Sequence, residues 1–183
     1  YIKRRIYRWS PAETQKNQKK RYEILRFSHD LDIVVMNVEA LSTKKGTDFA
    51  AKFLLNKRAL FTIDESTSIK SPSAARTKNA LRLAKYAVHR RILTGSPVTR
   101  SPLDLYTQCE FLDPGLLGFS SYYSFRARFA EMVDRSAGGR TFKQVIGYKN
   151  LDELNEILQP FSYRVLKKDC LDLPDKVYTV RKI

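Results

Sequence analysis

Ala59-Leu60-Phe61-Thr62-Ile63-Asp64-Glu65-Ser66 decides how this chain folds. Five apolar or β-branched residues run without alternation and stop at two adjacent carboxylates. A run with no polar face suits a strand covered on both sides, as in a parallel sheet flanked by helices. Two similar runs lie on either side, Asp32-Ile33-Val34-Val35-Met36-Asn37 and Arg91-Ile92-Leu93-Thr94. The stretches between them read as helices over about 46–57 and 73–87; Ser73-Ala74-Ala75-Arg76 followed by Ala80, Leu81, Leu83 and Ala84 has helical spacing. Strand, helix, strand, helix, strand predicts an α/β fold with a parallel sheet.

Outward from this centre the character changes twice. Toward the N-terminus, Ser10-Pro11-Ala12-Glu13 reads as a helix start, with Ser10 as cap, Pro11 in the first turn and Glu13 completing a capping box. The helix it predicts carries Lys16, Lys19, Lys20 and Arg21 and runs to about Phe27. After Pro102, the residues Leu103, Leu105, Tyr106, Cys109, Phe111 and Leu112 predict a helix that ends before Asp113-Pro114-Gly115. An aromatic-rich helix over 122–132, a loop at 136–140, a helix over 150–158 and a strand over 176–180 follow. Three regions result: a basic segment and helix (1–30), an α/β core (31–101), and a helical protrusion that completes the domain (102–183).

The 183 residues are enough for one domain with a real core. No run of about 18 apolar residues exists, so no membrane-spanning helix is expected. The N-terminal stretch does not read as a signal peptide, and the missing initiator Met fits an excised fragment. Cys109 and Cys170 have no metal-ligand spacing and read as reduced, packed thiols. Charge is more informative. Lys and Arg number 34 against 19 Asp and Glu, a formal net charge of +15. Residues 1–100 hold 22 of these cations and 8 of the anions, whereas 101–183 hold 12 and 11. A one-sided excess of this size points to a polyanion as partner, with a solvated basic surface as the alternative. Lys3, Arg4 and Arg5 beside Tyr7 and Trp9, then Lys19, Lys20 and Arg21, are the candidate phosphate contacts.

Two motifs carry chemistry. Asp64-Glu65 sits at the C-terminal end of a buried strand, where open parallel sheets bind ligands. One carboxylate there can hold Mg²⁺ and the other can orient or deprotonate a water. Thr94-Gly95-Ser96-Pro97 follows the next strand and offers backbone N–H groups and hydroxyls at the same edge. Each alone reads equally as a cap or a turn. Together, on neighbouring strands, they are harder to dismiss. The aromatic set Phe119, Tyr122, Tyr123, Phe125 and Phe129 reads as core of the protrusion rather than a stacking platform.

At these residues the chain resembles the Swi/Snf-type branch of superfamily-two DNA helicases and translocases. Ile63–Ser71 is similar to that family's DEAH-x-I-K-N block, and Leu93-Thr94-Gly95-Ser96-Pro97-Val98 to its LTGTPI block. Phe111–Gly118 resembles FLDPGLLG, Ser124–Phe129 resembles FRERF, and Val35–Leu41 resembles ITTYEAL. Pro160–Asp169 with Leu171-Asp172-Leu173-Pro174 resembles PFLLRRTKKDVLLDLPPK. Six blocks in order, over residues 31–180, are far stronger than any one.

The resemblance implies a partial RecA-like, P-loop NTPase fold with a helical insertion, the later part of a first motor lobe. It implies ATP and Mg²⁺ as cofactors and DNA, double-stranded by preference, as partner. It implies that Asp64 contacts the Mg²⁺ of ATP and that Glu65 is the catalytic base. Thr67, Thr94, Gly95 and Ser96 would couple nucleotide state to DNA contact, and Asn37 and Glu39 would lie near the DNA track. The setting would be intracellular, in cytoplasm, nucleus or nucleoid, and relatives of this branch also serve viral replication. Two departures stand out. The family's Ala-His after Asp-Glu is Ser66-Thr67, and its Arg-Arg is Tyr163-Arg164. No Gly-x-x-x-x-Gly-Lys-Ser/Thr occurs; Lys44-Lys45-Gly46-Thr47 has the wrong order. The phosphate loop and the second lobe would be partners on the same polypeptide, and this chain alone is expected not to hydrolyse ATP. The alternative is a non-catalytic DNA-binding or interaction module derived from such a motor.

Overall fold

The computed structural model describes residues 2–12, 14–27 and 29–165. Glu13, Cys170, the block at 166–174 and the strand expected over 176–180 lie outside the described residues. The chain divides into two compact units, Tyr1–Asn150 and Leu151–Ile183.

The first unit opens with a strand, β1 (Arg4–Arg8), where only a basic segment was expected. Successive side chains of a strand alternate faces. Arg5 and Tyr7 turn inward, while Arg4, Ile6 and Arg8 stay exposed. Tyr7 is buried against Phe49, with ring centroids 5.5 Å apart, in a cluster with Ile24. Helix α1 (Gln15–Arg26) starts later than Ser10 predicts, because Thr14 supplies the cap and accepts from Asn17 N at 3.3 Å. The Ser10 hydroxyl accepts from Ala12 N instead. Strand β2 (Leu31–Val35) then pairs in parallel with β1, Tyr7 opposite Val34.

A 3₁₀ turn over Val38–Ser42 leads to α2 (Lys44–Asn56), capped by Thr43. Gly46 lies so close to this turn that an added Cβ would stand 2.2 Å from the Ala40 carbonyl oxygen. Gly46-Thr47 is therefore a packing element, both residues buried, and not a phosphate cradle. Strand β3 (Leu60–Asp64), a 3₁₀ turn over Ser66–Ile69, α3 (Ala75–Ala84) and β4 (His89–Leu93) follow. β3 and β4 are parallel, Ile63 opposite Ile92 and Asp64 opposite Leu93. The core joins Leu41, Ala50, Leu54, Ile63, Ile69, Ala80, Leu83 and Phe111. Phe111 meets Phe61 edge to face at 5.0 Å. Each such fully buried large side chain contributes about 1.5–3 kcal/mol.

The parallel sense agrees with the sequence reading, but one continuous sheet does not form. β1–β2 and β3–β4 are separate two-stranded sheets. A groove of about 950 Å³ lies between β2 and β3, lined by residues of both strands and by Asp64 and Glu65.

Beyond β4, a 3₁₀ turn over Pro102–Asp104 enters α4 (Leu105–Leu112), and α5 (Tyr122–Phe129) follows. The helix expected over 122–132 stops at Phe129, and the chain switches to β5 (Ala130–Ala137) paired antiparallel with β6 (Arg140–Tyr148). The expected loop is only the tight turn Gly138-Gly139, with φ of +57° and +75°. Two glycines at positive φ match the twist of a two-residue hairpin. The protrusion is thus mixed, not all helical. Phe125 and Phe129 are wholly buried and pack with Phe119 and each other, as a core rather than a stacking platform. In the second unit, α6 (Leu151–Leu158) leads into a 3₁₀ turn over Gln159–Phe161; the Tyr163 and Arg164 side chains are exposed.

Candidate functional site

Register places the two motifs side by side. Asp64 is opposite Leu93, so Glu65 and Thr94 leave adjacent strands at the same C-terminal edge. Both carboxylates are exposed, and Asp64 Oδ1 accepts from Glu65 N at 3.0 Å. Glu65 has φ +51° and ψ +58°, a left-handed conformation. For a residue with a Cβ this costs about 1–2 kcal/mol. Such strained backbone gathers at functional sites, where surrounding structure holds it in place.

In the neighbouring loop, Thr94 Oγ1 accepts from Ser96 N at 3.2 Å and Ser96 Oγ donates to the Val98 carbonyl at 3.1 Å. Gly95 is exposed, with open space where a Cβ would stand. Backbone and hydroxyls at this turn therefore face solvent beside the carboxylates.

The loops are tied together from below by residues that sequence reasoning missed. The Ser66 hydroxyl donates to Gln108 Oε1 at 2.6 Å, and both residues are wholly buried. Gln108 Nε2 donates to the carbonyls of Pro97 and Asp104, each at 2.8 Å. Thr107 Oγ1 donates to the Ile69 carbonyl at 2.6 Å. Asp104 Oδ2 accepts from Thr99 N, Thr99 Oγ1 and Arg100 N, at 3.2, 2.8 and 3.2 Å. Lys70 lies 3.5 Å from the same oxygen and donates to the Thr99 hydroxyl. Burial pushes the Asp104 carboxyl up, but the Thr99 and Arg100 hydrogen bonds and the Lys70 charge outweigh it and hold it below the usual range. The bridge starts at Ser66, one residue before the Thr67 named from the resemblance. The available signal was Gln108 itself, the lone amide side chain in a helix with five apolar residues of eight.

The other candidates fall into two groups. Lys3, Arg4, Lys19 and Lys20 are exposed. Arg5 and Arg21 turn inward: Arg5 donates to Asp32 and to the Glu23 and Phe27 carbonyls, and Arg21 to the Ser10 and Ala12 carbonyls. Asn37 caps the 3₁₀ turn at 38–42, accepting from Glu39 N at 3.4 Å, and Glu39 lies 3.6 Å from Arg76. The Cys109 thiol is buried, and burial with the nearby Glu110 pushes it up to about 12, so it is a packed, unreactive thiol. Among the described residues no group of three or more His, Cys, Asp or Glu could hold a metal by itself, and no helix is long and apolar enough to cross a membrane.

Parallel strands ending together in an acid pair and a Thr-Gly-Ser-Pro turn form part of a RecA-like fold. The chain belongs to the SNF2-related domain family, whose model matches residues 6–183. It is 36% identical over 118 residues to the TATA-binding protein-associated factor MOT1 of Saccharomyces cerevisiae, covering 63% of this chain and 6% of that protein. It is 32% identical over 146 residues to the DNA annealing helicase and endonuclease ZRANB3 of Mus musculus, covering 79% and 13%. A Caenorhabditis elegans homologue of SWI/SNF-related matrix-associated actin-dependent regulator of chromatin subfamily A-like protein 1 is 35% identical over 127 residues, 67% of this chain and 18% of that protein. This chain therefore spans only a small part of each relative. In fold it is similar to the Sulfolobus solfataricus SWI2/SNF2 ATPase core solved in complex with double-stranded DNA, with a TM-score of 0.56 and 22% identity over 92% of this chain and 29% of that one.

Proposed function

We propose that this chain is the later part of the first ATPase lobe of an ATP-dependent DNA translocase of the DEAD/DEAH-related class. One observation carries the reading: in a member of the SNF2-related family, the acid pair and the Thr-Gly-Ser-Pro turn leave register-matched parallel strands at one edge. The donor set fits a magnesium nucleotide. Asp64 offers hard, exposed oxygens at a strand end, and Mg²⁺ is ordinarily held by one or two carboxylates plus substrate phosphates. Bound MgATP supplies the transferable phosphoryl group and the neutralising charge. Asp64 would hold the ion, directly or through water. Glu65 would orient the attacking water and take its proton. Thr94, Gly95 and Ser96 would read the nucleotide state, with Thr67 beside them. Asn37, Glu39 and the exposed Lys3, Arg4, Lys19 and Lys20 would face double-stranded DNA, in whichever compartment holds it.

Phosphoryl transfer depends on cradling the phosphates as much as on the base. With no Gly-x-x-x-x-Gly-Lys-Ser/Thr in its sequence, this chain alone would not turn ATP over. The phosphate loop and a second lobe would come from the same polypeptide. In the full-length protein, Glu65→Gln is expected to lower DNA-stimulated hydrolysis by about 10²-fold or more, the usual weight of a positioned base. Turnover that survives this change removes Glu65 from the role. A full-length protein that binds DNA and hydrolyses nothing would favour the non-catalytic DNA-binding module instead.

A further inference from the structure

Both donors of the Gln108 amide are used, and its oxygen is engaged as well. Its two N–H donors go to the Pro97 and Asp104 carbonyls, which can only accept, so the orientation of the amide is fixed by its partners. Its oxygen must then accept, and Ser66 must donate. A wholly buried amide is costly to leave unsatisfied, so the three bonds act together. Ser66 follows Glu65 directly in the chain, and Pro97 closes the Thr94–Pro97 turn. Gln108 therefore connects the backbone carrying the strained carboxylate to the exposed loop on the next strand. A second strap runs beside it, from Lys70 through Asp104 to Thr99 and Arg100. Both straps are anchored in or beside the first turn of α4.

We propose that Gln108 is a positioning residue that transmits nucleotide state from Glu65, through Ser66, to the Thr94–Pro97 loop. This rests on the motor reading above. The relay has a defined direction of hydrogen bonding, so its failure modes differ. Gln108→Leu removes the oxygen and both donors. Gln108→Glu keeps an acceptor for Ser66 but leaves at most one donor, the O–H of the protonated acid, for the two carbonyls. Ser66→Ala strands the Gln108 oxygen, and Ser66→Ala with Gln108→Leu removes both halves and leaves no orphaned polar atom on either side chain.

Two measurements on the full-length protein test it. In the first, amide hydrogen exchange of residues 94–100 is followed in Gln108→Leu and in the double variant. Faster exchange in both is expected, even where the double variant recovers the melting temperature that Ser66→Ala loses. Unchanged protection of that loop overturns the proposal, whatever the protein's activity. In the second, ATP hydrolysis is measured with and without duplex DNA. Gln108→Leu and Gln108→Glu are expected to keep the ATP KM and the basal kcat and to lose about tenfold of the DNA stimulation, within the usual range for coupling between sites. Basal and stimulated rates falling in proportion would mean a merely structural role and overturn the proposal. A wild-type protein without DNA-stimulated hydrolysis, or with hydrolysis untouched by Glu65→Gln, defeats the motor reading itself and the relay with it.

Discussion

Arg5 and Asp32 meet across β1 and β2, with Arg5 Nε 2.9 Å from Asp32 Oδ1 and the Asp32 side chain nearly buried. Lys57 approaches the other oxygen at 3.1 Å. Arg5 and Lys57 also both donate to the Phe27 carbonyl just past the end of α1, so one charge cluster fastens β1, β2, α1 and the end of α2. The strand that composition hid is held by the same arginine that looked like a phosphate contact.

Arg5→Ala is therefore expected to act on stability, not on DNA affinity. Losing hydrogen bonds to a charged group should cost about 1.5–3 kcal/mol in urea unfolding. The pH profile has a definite sign. Burial pushes the Asp32 carboxyl up, but bonds from Arg5 and Lys57 more than offset it, so its folded value lies below its unfolded one. The contribution is complete above the ordinary carboxylate range and fades as pH falls through the folded value. In Arg5→Ala the acid limb of the stability curve should flatten; an unchanged acid limb would place the cluster outside the stability of the fold.

Lys19→Ala and Lys20→Ala should lower duplex affinity without lowering the melting temperature, since both side chains are exposed on α1. Each lost phosphate contact should reduce the slope of log affinity against log salt by about one unit. Equal salt slopes in wild type and variants would remove α1 from the DNA interface.

Glu65→Gly should separate stability from chemistry. Glycine accepts the φ of +51° without a steric cost, so the variant should be more stable by up to about 1 kcal/mol, the relief net of glycine's extra chain entropy. Hydrolysis by the full-length protein should be lost. A destabilised variant would mean that the Glu65 side chain makes a contact that outweighs the strain.

Gly46→Ala should be harmful although helix propensity favours alanine. The new methyl would press on the Ala40 carbonyl, and backbone cannot step aside cheaply. A loss of about 1–3 kcal/mol in chemical denaturation is expected, with no effect attributable to nucleotide. Full stability would show that α2 can slide away from the 3₁₀ turn at 38–42.

The sequence by itself determined the centre of this protein. Leu60–Asp64 and Arg91–Leu93 are apolar or β-branched over most of their length, which favours extended parallel strands. The covering of both faces does not follow, since of β3 and β4 only Ile63 is buried while Leu60 and Leu93 are exposed. Their ends bring Asp64 and Thr94 to one edge because parallel neighbours end together. The aromatic residues Phe119, Phe125 and Phe129 likewise had nowhere to go but a core. Tertiary structure decided the rest, wherever a residue's partner is remote in sequence. Arg4–Arg8 became a strand because Asp32, 27 positions after Arg5, neutralises it and Phe49 covers Tyr7. The turn at Gly138-Gly139 was legible as a loop, but the segments on either side became a hairpin because the two mostly exposed strands 130–137 and 140–148 pair with each other across it. The link between the two motifs was decided the same way. Ser66 and Gln108 are 42 positions apart, and only burial of both leaves each as the other's available partner.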